Sequence, residues 1–278
     1  MNDFIFTETT KLYKYLPFTK HSLNVITNGT IKFTQPSLLN DPFDSAPDYD
    51  NYNVEEYFNT RPDLIDKVVR YLNIRKDEFL YEKSKMAARL KNAITAGYFG
   101  QPLSDKVGIC SLTRTPLNLL MWAHYAGSHT GFVVEFETPL EAISEKKPEE
   151  TEFIKWLVAS PVKYQREKPV INLFDNDNTA SDKRFFIKGE DWKYEQEERV
   201  MAYSNGAGIY EYDQKSILKS VFAGMKMSST NFSTLERSIY ELSTRIGKRI
   251  KLYQVKPDNG RFGICIPERK DLQIETRI

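Results

Sequence analysis

Two short apolar runs, "KVGICSLT" at 106–113 and "GFVVEFE" at 131–137, flank an amphipathic segment, "TPLNLLMWAHYAG" at 115–127. The two runs read as buried strands and the segment between them as a helix, with Thr115 as N-cap, Pro116 in the first helical position and Gly127 at its end. Strand and helix patterns recur along the chain. "KLYKYL" reads as a first strand, "TKHSLNVITNG" as a short helix capped by Thr19 with Leu23 and Ile26 inward and Gly29 after its end, and "TIKFTQP" as a second strand stopped by Pro36. "SSTNFSTLERSIYELSTRIG" carries Phe232, Leu235, Ile239, Leu242 and Ile246 on one stripe and is an amphipathic helix. The pattern predicts one α+β domain over residues 1–278, with a central, mostly antiparallel sheet and a helical insertion at about 51–100.

Composition removes several classes. The 278 residues carry a formal net charge of +1, which gives no global nucleic-acid footprint. No run approaches the length of a transmembrane helix, and "MNDFIFTETTKLYKY" lacks the basic and apolar regions of a signal peptide. The two cysteines, Cys110 and Cys265, sit in apolar strand-like runs and read as small buried hydrophobes of a reducing cytoplasm. P-loop, G-x-G-x-x-G and G-x-S-x-G motifs are missing, and the three histidines form no zinc-ligand set.

Three stretches carry candidate chemistry. Read as one strand, "WKYEQEERVM" at 192–201 puts Lys193, Glu195, Glu197 and Arg199 on one face. A solvated edge strand with a weak ion-pair ladder is the plain reading of that pattern. The sharper one is a cleft-facing strand whose paired carboxylates raise one pKa or recruit a cation, with Arg199 setting the charge balance. On that view Glu197→Gln leaves folding nearly intact, because it removes one of two repelling carboxylates. "LLNDPFD" at 38–44 is a turn built by Asn40 and Asp41, with Phe43 expected to pack inward, while Asn40, Asp41 and Asp44 are candidate ligand contacts. In the 115–127 helix, His124 falls on the apolar face, where a histidine reads first as a core residue. Asn118, Trp122 and Tyr125 share a flank suited to a planar ring, so Trp122, His124 and Tyr125 are the helix's candidate contacts.

Several segments together resemble a widespread bacterial family known as domain of unknown function 2971. They are "LYKY", "IKFTQPSLLNDPFD", "ICSLTRTPLNLLMWAHYAGSHTGFVVEF", "VKY", "FFIKGEDWKYEQEERVM" and "VFAGMKMS", spanning about residues 12–230. The resemblance implies a bacterial or phage-associated cytoplasmic protein and supplies no activity. The order "LYKY", short helix ending "ITNG", then "IKFTQP" is also similar to the opening of ADP-ribosyltransferase-like folds. That second resemblance implies NAD as cofactor, Tyr13 or Tyr15 holding its ribose where a histidine is usual, and Glu197 of "EQE" as the catalytic carboxylate beside Glu195. It implies a toxin or phage-defence effector. Two other classes stay open. One is a non-catalytic sensor that binds a small molecule or a protein; the other is a nuclease-like effector with Mg²⁺ on Asp41, Asp44, Glu195 and Glu197.

Overall fold

The structure, a computed structural model, describes residues 8–50, 75, 84–85, 87–89, 91–92, 106–140, 149–172 and 179–274. Contacts divide the chain into two compact units. The first comprises Met1–Gln35, Lys106–Val162 and Asp191–Ile278; the second comprises Pro36–Asp105 and Lys163–Glu190. The α+β class and the central sheet agree with the sequence. Most of the helical insertion expected at about 51–100 lies outside the described residues; 84–85, 87–89 and 91–92 are helical.

In the first unit the strands are β1 (Thr9–Leu16) and β2 (Thr30–Phe33). In the second unit the chain adds β3 (Asp48–Asp50) before returning to β4 (Gly108–Thr113), β5 (Phe132–Pro139) and β6 (Ser160–Pro161). The second unit then contributes β7 (Lys163–Gln165), β8 (Val170–Asn172) and β9 (Ile187–Gly189). The first unit ends with β10 (Glu197–Ala202), β11 (Gly208–Glu211), β12 (Leu218–Ala223), β13 (Lys251–Gln254), β14 (Lys256–Pro257) and β15 (Ile264–Cys265). The helices, in chain order, are α1 (Lys20–Thr27), α2 (Leu119–Tyr125), α3 (Glu150–Trp156), α4 (Ala180–Phe185), α5 (Gln214–Ile217), α6 (Ser229–Ile246) and α7 (Lys270–Ile274).

Seven strands of the first unit form one sheet in the order β13-β12-β5-β1-β4-β10-β6. All its pairs are antiparallel except β12 with β13. Strand alternation gives the sheet two distinct faces. Leu12, Leu112, Val134, Phe136, Val200 and Val221 look to one side, where Val25 and Ile26 of α1 and Leu235, Ile239 and Leu242 of α6 complete the larger core. Phe232 and Ile246 pack at its margin, so the helical stripe expected at 232–246 is the buried one. Tyr13, Tyr15, Val133 and Phe222 look to the other side, against Met121 and Trp122 of α2 and Ile264, Ile266 and Leu272 near the C-terminus.

Local details follow from capping. Thr19 accepts a hydrogen bond from the Ser22 amide and opens α1 as expected. In α2 the expected cap is corrected. The helix begins at Leu119, and Asn118, not Thr115, accepts from the Met121 amide at 3.1 Å. Thr115 instead takes the Leu117 amide at 3.2 Å, one turn too early to start the helix. Cys110 is fully buried, whereas Cys265 is only partly so, which corrects the reading of both as core residues.

In the second unit β3 pairs with β8 and β7 with β9, both parallel.

Candidate functional site

The 192–201 stretch is not one strand. Glu190–Glu195 form a 3-10 turn, Gln196 adopts a left-handed φ of 46°, and the strand starts at Glu197. Glu197 and Arg199 therefore share a strand face, as alternation requires, whereas Glu195 belongs to the turn. The edge-ladder reading is overturned by burial: Glu195, Glu197 and Glu198 are 3%, 5% and 5% exposed and Arg199 is 1% exposed. A carboxylate at such depth needs a partner. Arg199 grips Glu197 at both oxygens. Glu198, on the opposite face, accepts from Arg114 Nε at 2.5 Å. Burial pushes the Glu198 carboxyl above its usual range, and Arg114 pulls it only part of the way back.

Glu195 meets α2. The Tyr125 hydroxyl donates to Glu195 Oε1 at 2.5 Å, and Asn118 Nδ2 donates to the Tyr194 carbonyl at 3.0 Å. Thr113 Oγ1 donates to the Glu195 carbonyl at 2.5 Å. Asn118 thus caps α2 with one end of its amide and ties α2 to the 3-10 turn with the other.

The rings gather at this junction. Trp192, Tyr194 and Tyr125 are half-buried and His124 is exposed. His124 lies 6.3 Å from the Tyr125 ring and 6.5 Å from Tyr194, and Trp192 lies 6.1 Å from Tyr194. Two expectations change. His124 is not a core histidine, because α2 turns Leu120 and His124 outward. Trp122 does not wall an open flank; it is 0% exposed and its Nε1 donates to the Pro116 carbonyl at 2.8 Å. Tyr194 and Trp192, which strand alternation had placed on the face opposite Glu195, take its place because the 3-10 turn breaks that alternation.

Tyr13 and Tyr15 are both buried. The Tyr13 hydroxyl donates to Glu135 Oε1 at 3.3 Å; that of Tyr15 donates to the Thr115 carbonyl at 3.0 Å. Burial raises the Tyr15 phenol well above its ordinary pKa. The register joins these groups into one row across the sheet, Ser220 opposite Glu135, Glu135 opposite Tyr13, Tyr13 opposite Thr113 and Thr113 opposite Glu197. Three strand spacings put Glu135 roughly 14 Å from Glu197 along it. Glu135 is 2% exposed and is held by Arg269 at both oxygens. Neither residue was singled out from sequence, although an acid at the centre of "FVVEFE" is itself a sign of a buried partner.

In the second unit, Asp41 and Asp44 are buried and Asn40 is exposed. Asp41 Oδ1 accepts from the Phe43 amide at 2.9 Å, the turn expected for Asn-Asp before Pro. Asp44 pairs with the buried Lys188 at 3.5 Å and accepts from Ser45 Oγ at 3.1 Å. Phe43 is 70% exposed, which corrects the inward packing expected of it. Among the described residues, no group of three His, Cys, Asp or Glu side chains is placed to hold a metal ion. No helix is long and apolar enough to cross a membrane among those residues.

Residues 121–200, from α2 into β10, match the family model described as Protein of unknown function (DUF2971), and the resemblance to that family holds over this stretch. No curated protein and no solved structure matches the chain.

Proposed function

We propose that this DUF2971 segment carries a recognition site for a small molecule with a planar ring and a hydroxylated sugar, NAD being the first candidate. The observation that supports it is the grouping of Trp192, Tyr194, Tyr125 and His124 around the Tyr125–Glu195 hydrogen bond. Ring faces bind flat ligands by stacking, and the polar groups beside them fix orientation.

A second reading, ADP-ribosyl transfer by a toxin or phage-defence effector, draws support from two buried carboxylates two residues apart, Glu195 bound by Tyr125 and Glu197 bound by Arg199. In that chemistry Glu197 stabilises the positive charge that develops on the ribose as nicotinamide departs. Arg199 then fixes the Glu197 carboxylate in place.

Melting curves with NAD, ADP-ribose and Mg²⁺ in parallel, together with an assay of NAD turnover, separate the readings. Stabilisation by NAD and ADP-ribose without turnover supports recognition alone. Turnover by the wild type that is lost in Glu197→Gln, measured per folded protein, supports transfer. No shift with either nucleotide removes NAD as the ligand.

A further inference from the structure

The Glu135 end of the polar row is occupied by one cation, Arg269. Arg269 lies just before α7, and all five of its N–H donors have acceptors. Nε donates to Asp271 Oδ1 at 2.9 Å, and Nη2 to Asp271 Oδ2 at 2.9 Å and Glu135 Oε1 at 2.8 Å. Nη1 donates to Glu135 Oε2 at 2.8 Å and to Ser220 Oγ at 3.4 Å. The guanidinium carbon lies 5.6 Å from the Phe222 ring centre and 5.7 Å from that of Tyr253, and those two rings stack 5.7 Å apart. Two carboxylate forks at the edges and two aromatic rings against the cation are the complement of a planar guanidinium. A compact ammonium with three donors cannot make both forks at once.

Apart from Asp271, which lies two residues on in Arg269's own segment, host and guest come from different parts of the fold. Glu135, Ser220, Phe222 and Tyr253 belong to β5, β12 and β13, so the sheet itself builds the receptor. The Glu135 side chain is 3% exposed, and Tyr13 and Ser220 orient it from within the sheet. The guest arrives on the segment after β15, which is anchored by the buried Ile266 and Leu272. The buried carboxylate adds a demand that they do not: a cation must sit there, or its desolvation is uncompensated.

We propose that Glu135, Ser220, Phe222 and Tyr253 form a guanidinium-recognition site, that Arg269 is its occupant in cis, and that the ligand it takes in exchange is an arginine side chain. A tethered occupant is present at high effective concentration, so the site admits another arginine only when Arg269 is removed or withdrawn.

The test uses the full chain with Arg269→Gly, which empties the site while leaving the sheet residues intact. Melting temperature is followed during titration with methylguanidinium and with N-acetylarginine amide, against methylammonium and N-acetyllysine amide at equal concentration. The wild type should show no saturating response. The Arg269→Gly protein should melt lower and regain stability along a saturating curve with the two guanidinium compounds only. The same protein carrying Glu135→Gln in addition should not respond. A flat response, an equal response to the ammonium compounds, or a response that survives Glu135→Gln overturns the proposal. A response to methylguanidinium without one to the arginine amide overturns the claim for an arginine side chain. If Arg269→Gly does not fold unaided, the yield of soluble protein on refolding with each compound is the readout, and equal yields overturn it.

Discussion

Arg199 binds Glu197 through two parallel hydrogen bonds, Nε to Oε1 at 2.8 Å and Nη2 to Oε2 at 3.0 Å, with both residues buried in β10. This pairing reverses what the sequence implied about Glu197→Gln. Removing the charge does not relieve a repulsion; it takes the carboxylate from a buried guanidinium. Breaking such a pair costs about 3 kcal/mol or more, because the remaining charge is left uncompensated. Glu197→Gln should therefore lower stability by about that amount in urea denaturation, and Glu197→Gln with Arg199→Met should recover part of it. A Gln variant as stable as wild type would show that Arg199 does not depend on Glu197. Any activity loss in this variant must be read against its folded fraction.

The aromatic group gives a cleaner handle on ligand binding. Trp192 is half-buried and belongs to a 3-10 turn rather than to the core. Trp192→Ala should weaken binding of a ring ligand by about 1 kcal/mol, roughly fivefold in Kd, with a small change in melting temperature. Fluorescence or calorimetric titration with NAD measures this directly. Equal affinity in the two proteins would remove Trp192 from the site.

In the second unit, Asp44 and Lys188 form a buried pair at 3.5 Å, their side chains 1% and 4% exposed. Asp44→Asn leaves the Lys188 ammonium without that charge and should destabilise the protein by about 3–5 kcal/mol. Asp44→Leu together with Lys188→Met should cost much less than either change alone, since hydrophobic replacement of a buried pair is often close to neutral. Additive losses in denaturant unfolding would mean that the two side chains act independently.

What was legible in the sequence depends on periodicity. The α6 stripe, the buried runs at β4 and β5 and the Thr19 cap all follow local rules, and the structure keeps them. The 192–201 stretch alternates as a strand should, yet it splits at Gln196, a residue type that rarely takes a left-handed φ. No local signal marks that break; it is held by the Arg114 amide donating to the Gln196 carbonyl and by Thr113 on Glu195. Because of it, Tyr194 and Glu195 lie in the turn rather than in the strand. Phe43 illustrates the same limit, since Asp41 fixes the backbone of its turn without deciding where the ring points. The Glu135–Arg269 pair joins residues 134 positions apart, and only the docking of the segment after β15 brings them together.

The last prediction concerns pH. His129 sits in the turn after α2 with a left-handed φ of 70°, its ring stacked 6.5 Å from Trp122 at an interplanar angle of 8°. The turn is pinned by the Lys226 amide donating to the His129 carbonyl at 3.0 Å. Its Nδ1 is buried without a hydrogen-bond partner among the described residues. Burial, and secondarily the nearby Lys226 charge, lower the imidazole pKa below its ordinary 6.5. The folded state therefore prefers the neutral ring, and the unfolded chain binds the proton more readily. The resulting stabilisation is fully present above pH 6.5 and is lost as pH falls from there toward the lowered folded value. His129→Asn keeps a residue tolerant of left-handed backbone and cannot titrate. Between about pH 8 and pH 5 the wild-type melting temperature should fall more steeply than that of the Asn variant, the two curves running parallel again below the histidine range. Parallel curves for the two proteins across that range would show that His129 does not carry the dependence.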